Sequence, residues 1–154
     1  MSWINTPGMI TVMLMLVPNI VYAFKRRDVE NHCSSFAMNL VEQVGRYGSM
    51  FLMAFNIGIL EAGFGSKTCF LVWMVSMIVL LLAYWVGWFL YFRNSRPAYA
   101  LTLAIIPSMI FMLSGMLMRH WLLLPFAVLF AVGHIHVTCR NAFGSQKGEG
   151  NADV

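Results

Sequence analysis

Charge is what this chain has least of. Only 10% of its 154 residues are charged, six acids against ten Lys and Arg, whereas a soluble domain spends about 25% of its residues on charge to cover its surface. The shortage excludes a fully water-exposed globular surface. Cysteine is also scarce, with three in all and no C-x-x-C. That excludes a disulfide-rich scaffold and argues against a thiol-shuttling enzyme, which needs a cysteine pair on the oxidising side of a membrane. There is no low-complexity linker between apolar segments and no second polar domain. The G-x-G in "EAGFGSK" at 61–67 follows no strand, so it offers no nucleotide loop.

What fills the chain instead is apolar: 60% of the residues are hydrophobic. Five runs are long enough to cross a bilayer, which takes about 20 residues in a helix. They fall at 4–24, 36–60, 69–92, 98–118 and 121–138, and they predict an all-α bundle of five transmembrane helices in a single domain, 1–140. The stretch 69–92 contains no Asp, Glu, Lys, Arg or His. Only Arg119 and His120 separate the last two runs, which predicts a tight antiparallel hairpin with Pro125 in the first turn of the returning helix. The tail 141–154, "NAFGSQKGEGNADV", is small and polar and reads as a disordered cytoplasmic extension.

With five spans, Lys25, Arg26, Arg27, Arg46, Arg93, Arg96, Arg140 and Lys147 fall on one side, and Lys67 and Arg119 on the other. Because cations are retained in the cytoplasm, this places the N-terminus outside and the C-terminus inside. The net charge of +4 is then met by anionic lipid head groups, with no nucleic-acid partner needed. Cys33 and Cys139 fall on the cytoplasmic side and Cys69 at the outer edge. Tyr84, Trp85, Trp88 and Tyr91 read as an interfacial belt at the inner end of the third span. The thirteen methionines read as adaptable packing. The first run has no cation before it and no small-residue cleavage site after it, so it reads as a retained helix.

Polar residues inside the spans are the informative ones, since each is costly in hydrocarbon. Asn39, Glu42, Gln43, Arg46 and Ser49 share an arc of about 120° on one helix, with Glu42 and Arg46 spaced i, i+4 in the favourable order. On the fifth span Ala127, Ala131, His134 and Thr138 lie within about 60°, a strip along which helices can approach closely, so His134 points into the bundle and His136 away from it. H-x-H diverges on a helix, which argues against a zinc site, and the other spans carry no histidine for a bis-histidine haem. No metal or cofactor is implied. Ala54, Gly58 and Ala62 form a further small-residue ridge, and Pro18 and Pro107 lie within spans, where each leaves a carbonyl to be satisfied by a neighbour.

The candidate cluster is therefore Asn19, Asn39, Glu42, Gln43, Arg46, Tyr47 and His134, all in the inner half, facing an outer half of nearly pure hydrocarbon. At "EQVGRYGSMF" (42–51), "RHWLLLPFAVLF" (119–130) and "GHIHVTCRN" (133–141) the chain resembles a group of small bacterial multi-spanning membrane proteins. The resemblance covers most of 17–141; it implies a bacterial cell membrane and assigns no activity. Three classes of function remain. One is an accessory or oligomer-forming membrane protein, as a homo-oligomer or with another subunit, its polar cluster open to the cytoplasm. Another is a small transporter or channel formed between protomers. The third is a membrane enzyme acting on a lipid or quinone, which lacks a recognisable nucleophile pair or metal set.

Overall fold

The computed structural model describes residues 3–25 and 35–149, with backbone alone for 143–149. Five helices follow one another: α1 Thr6–Lys25, α2 Phe36–Ala54, α3 Lys67–Arg93, α4 Pro97–Leu117 and α5 Leu123–Glu149. Among the described residues there are no strands beyond two isolated antiparallel bridges, Ile4 with Phe55 and Glu61 with His120. Cys33, Arg26 and Arg27 lie outside the described residues, as does the tail beyond Glu149.

Local chemistry sets most helix ends. Asn5 opens α1, its side-chain oxygen accepting from Gly8 N at 3.3 Å, with Pro7 in the first turn where its missing N–H costs nothing. Ser66 caps α3 by accepting from Cys69 N at 3.1 Å. Pro97 is the first residue of α4. Pro18 and Pro107 are accommodated inside α1 and α4 without ending either helix.

Four of the helices are long and apolar enough to cross a membrane: α1, α3, α4 and α5 over Leu123–Ala142. α2 is not among them, so four of the five expected spans meet that measure. Asn39, Glu42, Gln43 and Arg46 lower its hydropathy, and it stops at Ala54, not near residue 60. The stop is tertiary. Phe55 turns extended, Asn5 N donates to Ala54 O and Asn56 N to Trp3 O, both at 2.9 Å, so the N-terminal segment takes over the carbonyls and amides a continuing helix would use. The expected Ala54–Gly58–Ala62 ridge therefore does not exist; Gly58 sits in the following loop at φ 74°. At the other end of the chain, α5 runs on to Glu149, so 141–149 is helical where the composition suggested a disordered tail.

The helices close into a ring that is not in chain order. α2 packs most closely on α5, α5 on α4 and α4 on α3, while α1 joins α2 to α3. The α2–α5 contact is backbone to backbone. A Cβ on Gly45 would lie 2.3 Å from Phe130 N, and one on Gly133 would lie 2.7 Å from Glu42 N and Cα. Only glycine permits that approach. At the end formed by the start of α1, the 57–66 loop docks on the α4–α5 turn, with Trp121 N donating to Leu60 O at 3.0 Å and Ala62 N to Arg119 O at 3.2 Å. Leu60 and Arg119 both take positive φ, 55° and 51°, a strained choice for non-glycine residues.

Candidate functional site

Close packing of α2 on α5 carries Glu42 under the bundle, its side chain only 6% exposed. A carboxylate there needs partners, and it has two on one oxygen. Arg46 Nη2 donates to Glu42 Oε1 from the next turn of α2, and His134 Nδ1 reaches the same oxygen at 2.8 Å. The His134 ring stacks on Phe130, centroids 4.7 Å apart and 17° from parallel, which fixes its plane. With Nδ1 engaged, Nε2 is the ring's other hydrogen-bonding atom.

On the opposite wall, Asn19 of α1 donates from Nδ2 to Met15 O at 3.0 Å and to the Tyr84 hydroxyl oxygen at 2.9 Å. Tyr84 is 2% exposed and Trp88 8%. Tyr22 packs its ring 5.1 Å from that of Trp88 and 6.0 Å from that of Tyr91. This corrects the reading of the aromatic group as an interfacial belt: Tyr84, Trp88 and Tyr91 turn inward and only Trp85 is strongly exposed. The signal was present in the sequence, since 84, 88 and 91 share one helical face that continues the buried positions Trp73 and Met77.

Between the two walls lies a cavity of about 550 Å³, lined by residues of all five helices. It runs from Val12 and Phe111 in mid-bundle to Ser95 and Asn141 at the end where α3 gives way to α4. On α1 its lining spans Val12 to Ala23, about 16 Å of helix. Asn19, Arg46 and His134 line it, and Glu42 stands behind Arg46 and His134. The remaining expected members are placed differently. Gln43 is exposed and Tyr47 is 65% exposed on the outer surface of α2, while Asn39 is half-buried near its start. The 120° arc was too wide for one helix to turn wholly inward. Sequence reasoning missed Tyr84, Trp88 and Phe130.

A second polar contact sits at the other end of the bundle. Glu61 accepts from Ile57 N and Gly58 N at 3.1 and 3.0 Å and lies 2.6 Å from His120 Nε2, off the line of a directed hydrogen bond. His120 is 2% exposed. Burial pushes its pKa below the ordinary value and outweighs the opposing pull of Glu61. Among the described residues no three His, Cys, Asp or Glu side chains gather as a metal site.

The class this architecture defines is an all-helical protein with four helices able to cross a membrane, folded around an inner cavity. No family model, curated protein or solved structure matches the chain.

Proposed function

We propose that this protein is a five-span integral membrane protein of the bacterial cell membrane that binds an amphiphilic small molecule in the bundle cavity. The observation that carries the reading is the cavity itself: about 550 Å³, within the range of small-molecule sites, with apolar and aromatic walls and a few convergent polar groups. The bacterial cell membrane is the location that the resemblance at 42–51, 119–130 and 133–141 implies. α2 serves as the fifth span, since its 19 residues measure about 28 Å, close to the hydrocarbon thickness of about 30 Å. Its buried carboxylate is neutralised where it sits. The cations Lys25, Arg93, Arg96 and Arg140 stand at the end of the bundle where the cavity reaches Ser95 and Asn141, which supports reading that end as cytoplasmic and the N-terminus as external.

An accessory role, alone as a homo-oligomer or beside another membrane subunit, needs only the packing faces. A binding role also accounts for the polar groups that line the cavity, and it is the reading preferred over a channel, because the cavity's lining ends at Val12 and Phe111 in mid-bundle. Native mass spectrometry of protein released from mild detergent tests it. A retained small-molecule adduct is expected on the parent and lost in Ala100→Phe, which places a ring in the cavity from α4. An adduct that survives that substitution, or a parent with none after gentle extraction, sets the binding role aside in favour of the accessory one.

A further inference from the structure

Arg46 and His134 stand side by side on the cavity wall, because both reach the one oxygen Glu42 Oε1 from two different helices. That contact uses one guanidinium nitrogen of Arg46 and Nδ1 of His134. The other guanidinium N–H groups and His134 Nε2 have no acceptor or donor among the described residues. They are not sealed away: the enclosed side-chain atoms without a partner belong to Ser49, Trp88, His120 and Asn141. The Arg46 and His134 side chains are 35% and 21% exposed, while Glu42 behind them is 6% exposed. One turn deeper on each helix the lining becomes apolar, Arg46 giving way to Met50, His134 to Phe130 and Asn19 to Met15. From Asn19 to Val12 that apolar depth is about 10 Å.

Charge and proton count narrow the head group. Among the described lining residues Arg46 and His134 are the sole Arg, Lys, Asp, Glu or His; α1 and α3 add Tyr22, Tyr84 and Tyr91, and α4 adds no ionisable side chain. Arg46 is already balanced by Glu42, so a fixed anion would leave one negative charge in a low-dielectric space. Arg46 can only donate, whereas Nε2 donates or accepts according to where the ring's protons sit. A carboxyl meets both forms. As an acid it accepts from Arg46 and donates to a neutral imidazole; as a carboxylate it accepts from Arg46 and from an imidazolium. In either form the head group, Glu42, Arg46 and His134 sum to zero charge, and a ligand arriving as carboxylate brings one proton in from water. An amide matches the hydrogen bonds but cannot share that proton.

We infer that the cavity takes a single-chain carboxylic acid, a fatty acid, with its chain toward Val12 and Phe111 and its carboxyl between Arg46 and His134 Nε2. The inference rests on the binding reading above and specifies its ligand. Four probes with ten-carbon chains separate the two: decanoate, decanamide, decanesulfonate and decane, titrated onto the full-length protein in detergent by ligand-observed NMR. Decanoate should bind about fivefold tighter than decanamide, since charge-assisted hydrogen bonds are about twice as strong as neutral ones. It should also bind about tenfold tighter than decanesulfonate, which stays anionic and holds no proton to share. His134→Phe should weaken decanoate about tenfold and leave decane unchanged, decane reporting that the pocket is intact. Arg46→Lys, which keeps a cation for Glu42 but loses the planar fork, should weaken decanoate about fivefold and carries the test if His134→Phe does not fold. Decanamide as tight as decanoate, or decanoate indifferent to both substitutions, would keep the pocket and overturn the acid site. Decanesulfonate binding tightest would make Arg46 a plain cation site and overturn the shared proton. Failure of every probe, decane included, would remove the pocket reading and this inference with it.

Discussion

At the scale of single residues, Glu42 decides most. It is a buried carboxylate whose one oxygen serves both Arg46 and His134, so removing Arg46 leaves it with the imidazole alone. Arg46→Met should cost about 3 kcal/mol, the low end for breaking a buried pair because the guanidinium is itself 35% exposed. Glu42→Gln with Arg46→Met should restore most of that loss, since an uncharged pair of similar volume leaves no charge stranded. Thermal unfolding in detergent measures both; equal stability of parent and single variant would mean the pair is screened and unimportant. His120 gives the pH dependence. Its folded pKa is lowered from an unfolded value of about 6.5, so the unfolded chain binds the extra proton first. Stability should therefore fall as pH drops through about 6.5, continuing until the folded pKa is passed. His120→Gln should flatten that part of a melting-temperature profile, and an unchanged slope would assign it to another group.

At the scale of elements, the α2–α5 contact and the 55–66 loop use glycine for different reasons. Gly45 is there for space, because a methyl would meet Phe130 N at 2.3 Å and its Cα at 2.6 Å, backbone atoms that cannot swing aside. Gly58 has open space around its Cβ direction but stands at φ 74°. Gly45→Ala should therefore force the helices apart and cost about 1–3 kcal/mol or more. Gly58→Ala should cost about 1 kcal/mol, from backbone conformation alone. Denaturation midpoints in one detergent compare them, and a Gly58 variant hurt as badly as the Gly45 variant would point to a hidden contact of the loop. Separation of α2 from α5 would also pull His134 from Glu42, so the Gly45 variant should lose cavity binding as well as stability.

At the scale of the whole molecule, the question is whether α2 crosses the membrane. The chain on either side of it carries Cys33 and Cys69, and a crossing puts the two on opposite faces. In single-cysteine variants, a membrane-impermeant maleimide applied to intact cells should label Cys69 at the start of α3, and should label Cys33 only after permeabilisation. Labelling of both from the same side would make α2 a helix packed at the surface of a four-span bundle. Labelling with the sides exchanged would reverse the orientation, putting the polar mouth of the cavity outside.

Apolar runs and punctuation were enough to read five helices, because in a chain with so little charge each backbone segment must satisfy its own hydrogen bonds, and a helix does so locally. The Glu42–Arg46 pair was legible for the same reason: its spacing is a property of one helix. His134 could be turned inward from its phase, but its arrival at Glu42 Oε1 depends on Gly45 and Gly133 letting two helices, 92 residues apart at that contact, touch through their backbones. The end of α2 at Ala54 was equally hidden, being set by hydrogen bonds to Trp3 and Asn5. The aromatic face of α3 could be sorted into one stripe from its periodicity, yet whether that stripe met lipid or protein depended on α1 closing the ring. Properties that a single helix carries were written in the sequence; the cavity and the second partner of Glu42 exist only where helices distant in the chain meet, and a linear pattern does not encode which faces those will be.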